Sequence, residues 1–301
     1  MNNNVCFGAI DIGSNAVRLV VKSIEKDPFD GSESLSQDLL VRFPLRLGED
    51  AFTQGKISED KAKQLQHLMK SFRQMLKIFP VTDVKVYATS AMRDAKNGEK
   101  IADRIYKKTG VAIEIIDGEE EARIVYETHI ERELGQDTDY MYMDVGGGST
   151  QISLIHSGKL IYSHSFNIGT VRMMNNKVDS EEKKAFVSKL QELRAQYPDF
   201  KLVGSGGNIN KLHKLLSEKK DSNILNVEKL KQLHQELSPM AIETRMKKYR
   251  IKRDRAEVIG FAANIFIDAA NAMQINEMIV PSISIADGII NKMFLKYAAK
   301  K

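Results

Sequence analysis

Apolar positions along this chain change period several times, and each change marks an element. Val5–Ile10 is an apolar run ending in Asp11-Ile12-Gly13-Ser14-Asn15, and apolar residues resume over Val17–Ile24, so the spacing predicts strand, tight turn, strand. Leu39–Leu47 predicts a further strand. Leu65, Leu68, Met69, Phe72, Met75 and Leu76 recur at helical spacing over Lys61–Ile78, with Ser58 placed to cap that helix. A strand at Val84–Ala88 and a helix at Gly98–Thr109, closed by Gly110, come next. Ala112–Ile116 predicts a strand, and Asp117-Gly118 leads into a helix from about Glu119 to Leu134.

The second half starts with Tyr140–Val145, apolar without alternation, which predicts a strand buried on both faces. It runs into Asp144-Val145-Gly146-Gly147-Gly148-Ser149-Thr150, after which Ile152, Leu154 and Ile155 resume the strand pattern and Ser157-Gly158 turns a hairpin into Leu160–Phe166. Helices are expected around Ile168–Met174 and over Ser180–Gln196. Lys201–Gly204 is a strand leading through Ser205-Gly206-Gly207-Asn208 into a helix of about ten residues. From Val227 to about Ala272 the pattern is mostly helical, Ile275–Val280 predicts a last strand, and Ser284–Tyr297 a terminal helix. Gly8–Ser14 and Tyr142–Ser149 share one order: strand, Asp, apolar residue, Gly, small residue, returning strand. A repeat so widely spaced predicts two similar domains rather than a solenoid.

Composition narrows the class. The chain has 301 residues, 42% hydrophobic and 28% charged, which excludes wholesale disorder. Cys6 is the only cysteine, so neither a disulfide framework nor a Cys-based zinc site can form. The six histidines lack H-x-x-H and H-E-x-x-H spacing, which argues against a His metal site. No apolar run approaches the roughly 20 residues of a membrane span, and Met1–Asn4 is no signal peptide. A cytoplasmic protein is the expectation. The net charge of +5 suits an anionic substrate, while the absence of Trp argues against a base-stacking platform and for no nucleic-acid partner.

The glycine turns carry the candidate chemistry. Backbone N–H groups in such turns form nests for phosphate oxygens, and an adjacent Asp suits a divalent cation held between itself and phosphate. The plainer alternative is a pair of hairpin turns whose aspartates cap backbone amides. Glu119, Glu120 and Glu121 open a helix, where the macrodipole alone favours acids; a functional role needs one of them to point inward as a general base. Arg93 follows a strand, either as a phosphate fork or as an ordinary surface residue. Seven cations and one Asp between Arg245 and Arg255 read equally as a polyanion groove or a solvated helical face. There is no P-loop motif and no dinucleotide fingerprint.

Taken in order, Ala9-Ile-Asp-Ile-Gly-Ser-Asn15, Ala88-Thr-Ser-Ala-Met-Arg93, Ile115-Ile-Asp-Gly-Glu-Glu-Glu-Ala-Arg123 and Asp144-Val-Gly-Gly-Gly-Ser-Thr150 resemble the exopolyphosphatase / guanosine pentaphosphate phosphatase family. Weaker matches are Asn167–Arg172, Gly204–Gly207, Arg255–Ile259 and Ala286-Asp287-Gly288. The resemblance covers nearly the whole chain. It implies an α/β fold of two RNase H-like domains, of the actin/Hsp70/sugar-kinase type, with an interdomain cleft. The first domain would be 1–124 plus about 285–301, the second 125–284. By position, Glu121 looks like the catalytic base and Asp144 like the Mg²⁺-associated aspartate. Asp11, Gly13, Ser14, Asn15, Arg93, Gly146, Gly147, Gly148, Ser149, Thr150, Gly206 and Gly207 would bind phosphate. The implied reaction removes terminal phosphate from polyphosphate or guanosine pentaphosphate; a regulatory binder of polyphosphate or of guanosine penta- or tetraphosphate is the other reading. The apolar pattern leads to the expectation of no membrane partner, and the resemblance leaves a homodimer open.

Two departures stand out. Gln151 occupies a position where the family usually has Glu, which keeps the size and loses the charge. The chain also ends near residue 301, so the C-terminal helical domains of long members are expected to be missing.

Overall fold

The computed structural model describes residues 5–126, 139–217, 222–281 and 284–299. The chain divides into two compact units, Met1–Thr128 with Ile285–Lys301, and His129–Ser284.

In the first unit β1 (Cys6–Ile12), β2 (Val17–Lys26), β3 (Glu33–Phe43), β4 (Val81–Ala88) and β5 (Glu114–Ile115) form one sheet in the order β3-β2-β1-β4-β5. The first three strands are antiparallel, while β4 runs parallel to β1 and β5 parallel to β4. All seven residues of β1 are buried, because the sheet is covered on both faces. Phe7 meets Tyr297 of the helix Ile285–Ala298 edge-on at 5.9 Å, and Gly8, pointing the other way, lies against Leu76 of the helix Glu59–Leu76. Ser58 caps that second helix through Lys61 N–H, at 3.4 Å, and Gly110 ends Gly98–Thr109 at φ 71°.

Two expectations in this unit need correction. The strand expected over Leu39–Leu47 starts at Glu33 and stops at Phe43. Pro44 cannot donate to the ladder, Arg46 turns the chain at φ 57°, and Leu47 opens a helix, Leu47–Gln54, with Leu45 and Leu47 kept apolar by burial. The strand expected at Ala112–Ile116 shrinks to Glu114–Ile115. The helix after Asp117 is described over Gly118–Tyr126; residues 127–134 of the expected helix lie outside the described residues.

The second unit repeats the plan. Its strands are β6 (Tyr140–Val145), β7 (Thr150–His156), β8 (Lys159–Phe166), β9 (Lys201–Ser205), β10 (Ile224–Asn226) and β11 (Glu277–Ile279). Their order is β10-β11-β9-β6-β7-β8, so β8-β7-β6-β9-β11 matches β3-β2-β1-β4-β5 in order and sense. This is the RNase H-like sheet, twice. The extra edge strand β10 is three residues long, too short to show a period. Met141, Met143, Val145, Ile152 and Leu154 face a core shared with the helix Ile259–Ala272, which packs on helices Thr170–Met174, Ser180–Gln196, Gly207–Leu216 and Val227–Leu237.

The basic stretch Arg245–Arg255 is largely engaged within the fold. Arg245 donates to the carbonyls of Leu237, Ser238 and Ala256, Arg253 pairs with Glu243 and Glu257, and Lys248 pairs with Glu236. Those contacts favour the structural reading over the polyanion groove. No described helix is long and apolar enough to cross a membrane.

Candidate functional site

In both units the named residues gather beyond the carboxyl ends of the parallel strands, where α/β sheets bind ligands. In the first unit these are the ends of β1, β4 and β5. Ile12 pairs with Ala88, and Ile116, just past β5, donates its N–H to Ala88 O at 3.0 Å. In the second unit they are the ends of β6 and β9, where Asp144 pairs with Ser205.

The two glycine turns are built alike. Gly13 N–H bonds Ala16 O at 3.1 Å, and Gly146 N–H bonds Ser149 O at 2.9 Å, so each hairpin closes at the same place. Outside contacts then tether the turn carbonyls. Gly146 O accepts from Thr170 N–H at 3.0 Å, Gly147 O from Val171 N–H at 2.8 Å, and Gly148 O from the Arg172 side chain at 2.6 Å. A trans peptide points its N–H opposite its C=O, so the N–H groups of Gly147, Gly148 and Ser149 face away from the helix that holds the carbonyls. None of the three donates to a backbone carbonyl among the described residues. Successive N–H groups left without a backbone partner in this way are the geometry that can take an anion. In the first unit Gly48 N–H holds Ser14 O at 2.8 Å and Arg46 N–H holds Asn15 O at 3.0 Å, which aims the N–H groups of Asn15 and Ala16 outward in the same manner. Thr150 sits beneath its turn, fully buried, its hydroxyl donating to Ile168 O at 2.6 Å.

Glu121 and Arg93 come together. Arg93 stands on the short helix Ser90–Asp94, which Ser90 Oγ ties to Ser14 Oγ at 2.9 Å. Its Nη1 donates to Ile116 O at 3.0 Å and lies 3.8 Å from Glu121 Oε2. Asp117 accepts Glu120 N–H at 2.8 Å and so caps the helix Gly118–Tyr126. Of the three glutamates that open this helix, Glu121 alone is buried, at 6% exposure. The macrodipole explains acids at a helix start; it does not explain a buried one.

The aspartates differ in their company. Residues directly opposite in an antiparallel pair share a sheet face. Asp11 faces Arg18, whose Nη1 reaches its Oδ2 at 3.2 Å, and Asp144 faces Gln151. Burial pushes the Asp11 carboxyl above its ordinary range, and Arg18 opposes that shift. Gln151 is buried, its Nε2 donates to Ser163 Oγ at 3.0 Å, and its Oε1 has no hydrogen-bond partner among the described residues. Gly206, at φ 113°, passes so close to Asp144 that a Cβ would stand 3.2 Å from Oδ1. Gly207 opens the helix behind it.

Among the described residues no three His, Cys, Asp or Glu side chains cluster as a metal site. Mg²⁺ nevertheless suits this donor set, because it characteristically takes one or two carboxylates and completes its shell with water and phosphate oxygens. Asp144, with Gln151 opposite it on the same sheet face, would supply the protein's part.

Three contributors escaped the sequence reading. Arg18 compensates Asp11, Arg172 holds the Gly148 carbonyl, and Gly169 lets the Gly146–Ser149 turn close: a Cβ there would come within 2.4 Å of Gly147 O. The strand alternation around Arg18 and the short Asn167–Arg172 motif were the available signals.

Known proteins share this fold. The Ppx/GppA family member of Aquifex aeolicus superposes with a TM-score of 0.75 at 26% identity, covering 97% of this chain and 98% of that one. An exopolyphosphatase from Cytophaga hutchinsonii gives 0.82 at 20% identity over 97% and 98%, which speaks to fold alone. Exopolyphosphatase 1 of Mycobacterium tuberculosis is 30% identical over 148 residues, 49% of this chain and 41% of that protein, so the match spans less than half of that relative's length. Residues 39–297, strand β3 through the last described helix, match the Ppx/GppA phosphatase family, and the chain belongs to it.

Proposed function

We propose that this protein is a Mg²⁺-dependent phosphoanhydride hydrolase that releases terminal orthophosphate from inorganic polyphosphate. The observation that carries the reading is Glu121, a buried carboxylate one ion-pair distance from Arg93 and set beyond the strand ends that also bear a glycine turn. A surface acid would favour the helix dipole equally well from water; a buried one needs a task. The family match and the resemblance of the Aquifex aeolicus and Mycobacterium tuberculosis proteins support it.

Phosphoryl transfer asks a protein mainly for positioning and charge neutralisation. Glu121 accepts a proton from the attacking water and orients its lone pair toward the terminal phosphorus. Arg93 presents a guanidinium N–H to the same region, where it meets the negative charge on the transferred group. The N–H groups of Gly147, Gly148 and Ser149, and of Asn15 and Ala16, bind phosphate oxygens without rearranging, since their carbonyls are already tied back. Mg²⁺ held by Asp144 would supply charge neutralisation on the phosphate oxygens. Asp11 already carries a counter-ion in Arg18 and is given no cation here.

Gln151 favours a second reading. With a neutral amide facing Asp144, the site holds one carboxylate fewer for a cation, and a slow or regulatory binder of polyphosphate or of guanosine pentaphosphate follows. A phosphate-release assay with Mg²⁺ on long-chain polyphosphate and on pppGpp decides. Release from polyphosphate supports the hydrolase; release from pppGpp alone moves the substrate; retained binding with no release from either leaves the regulator.

A further inference from the structure

One sequence motif remains without a task. Ala286-Asp287-Gly288 opens the helix Ile285–Ala298, which belongs to the same unit as Glu121 and packs on its helix. At their crossing a Cβ on Gly288 would stand 2.2 Å from Ile124 O and 3.1 Å from Ile124 C. Those are backbone atoms, which cannot swing aside as the end of a side chain can. Ile124 is fully buried and lies three residues from Glu121, one turn along the same helix. A turn further along the second helix, Lys292 Nζ donates to Glu120 Oε1 at 3.0 Å, at the residue next to Glu121. The helix is itself fixed to the sheet: Asp287 Oδ1 meets Lys22 Nζ of β2 at 2.6 Å, and Tyr297 packs on Phe7 of β1.

We propose that Gly288 and Lys292 are positioning residues for Glu121. The helix Ile285–Ala298 acts as a strut between the sheet and the glutamate's helix. Gly288 sets how closely the two helices cross, and Lys292 sets the rotation at Glu120. Both thereby fix the reach from Glu121 to Arg93 and to the attacking water. This rests on the reading of Glu121 as the general base. A side chain at position 288 forces the helices apart, and displacements near 1 Å at reacting groups are enough to reduce catalysis by about a hundredfold.

The test measures kcat, KM and melting temperature for Gly288→Ala, Lys292→Ala, Lys292→Arg and Glu121→Gln, with long-chain polyphosphate and Mg²⁺. Gly288→Ala should fold, lose about tenfold or more in kcat and hold KM within about twofold. Lys292→Ala should lose about two- to threefold in kcat at nearly unchanged melting temperature, since the ion pair is partly exposed, and Lys292→Arg should restore it. A lower melting temperature with wild-type kcat in Gly288→Ala would mean packing alone and overturn the proposal. If Gly288→Ala does not fold, Lys292→Ala decides, and a wild-type kcat there overturns it. An inactive Glu121→Gln beside wild-type rates in both strut variants sinks the positioning role only. Wild-type turnover by Glu121→Gln, or none by the unaltered chain, removes the base assignment and this proposal with it.

Discussion

Asp11 and Asp144 hold equivalent places in two sheets, and their partners separate their roles. A carboxyl whose range is raised by burial gives stability that is present below the ordinary carboxylate range and lost as pH rises through the raised value. The melting temperature of Asp11→Asn minus that of wild type should therefore grow more positive from about pH 3 to pH 7. A slope of the opposite sign would show that Arg18 outweighs burial. At Asp144, calorimetric Mg²⁺ titration in the presence of non-hydrolysable polyphosphate analogue should weaken for Asp144→Asn and tighten for Gln151→Glu, which adds a second carboxylate on the same face. Unchanged titrations in both would remove the cation from this position. Residue types alone left Glu121 indistinguishable from Glu119 and Glu120, because burial is a property of the crossing helices and not of the three-glutamate run.

The turn and its backing helix work as one element. Gly169 lies against Gly147 and Gly148 with no space for a methyl group, and the next three residues tether the turn carbonyls. Gly169→Ala should push the turn out of register, lower stability by about 1–3 kcal/mol and raise KM more than it lowers kcat, as thermal melts and phosphate-release kinetics would measure. Wild-type KM would mean the turn does not bind substrate. Elements with strong periodicity or a marked end were legible from the chain: Ser180–Gln196 and Gly98–Thr109 stand at the expected residues. Elements ruled by tertiary contacts were not. Leu45 and Leu47 continue an apolar run past Pro44 because they are buried, and a pattern of apolar residues cannot tell that burial from strand pairing.

At the scale of the whole molecule, the repeat Gly8–Ser14 and Tyr142–Ser149 announced two sheets of one topology, and the structure extends the likeness to turn closure and strand order. Glu121 and Arg93 stand in the first unit, Asp144 and Gly146–Thr150 in the second. The first unit also depends on residues remote in sequence. The helix Ile285–Ala298 buries Ile285, Ala286, Ile289, Ile290, Met293 and Phe294. Burial of the larger of these side chains contributes on the order of 10 kcal/mol, comparable to the net stability of a domain. A chain stopped before Ile285 should lose the circular-dichroism melt of the first unit, and a native-like melt would contradict the strut's place in that core.

The proposed chemistry turns on a buried glutamate that activates water against a phosphoanhydride. Orthophosphate release from long-chain polyphosphate with Mg²⁺, compared between the wild-type chain and Glu121→Gln, tests it most directly. Turnover is expected from the first and a fall of about 10²–10⁴-fold in the second, with polyphosphate binding and melting temperature retained. Equal rates from the two proteins would contradict it.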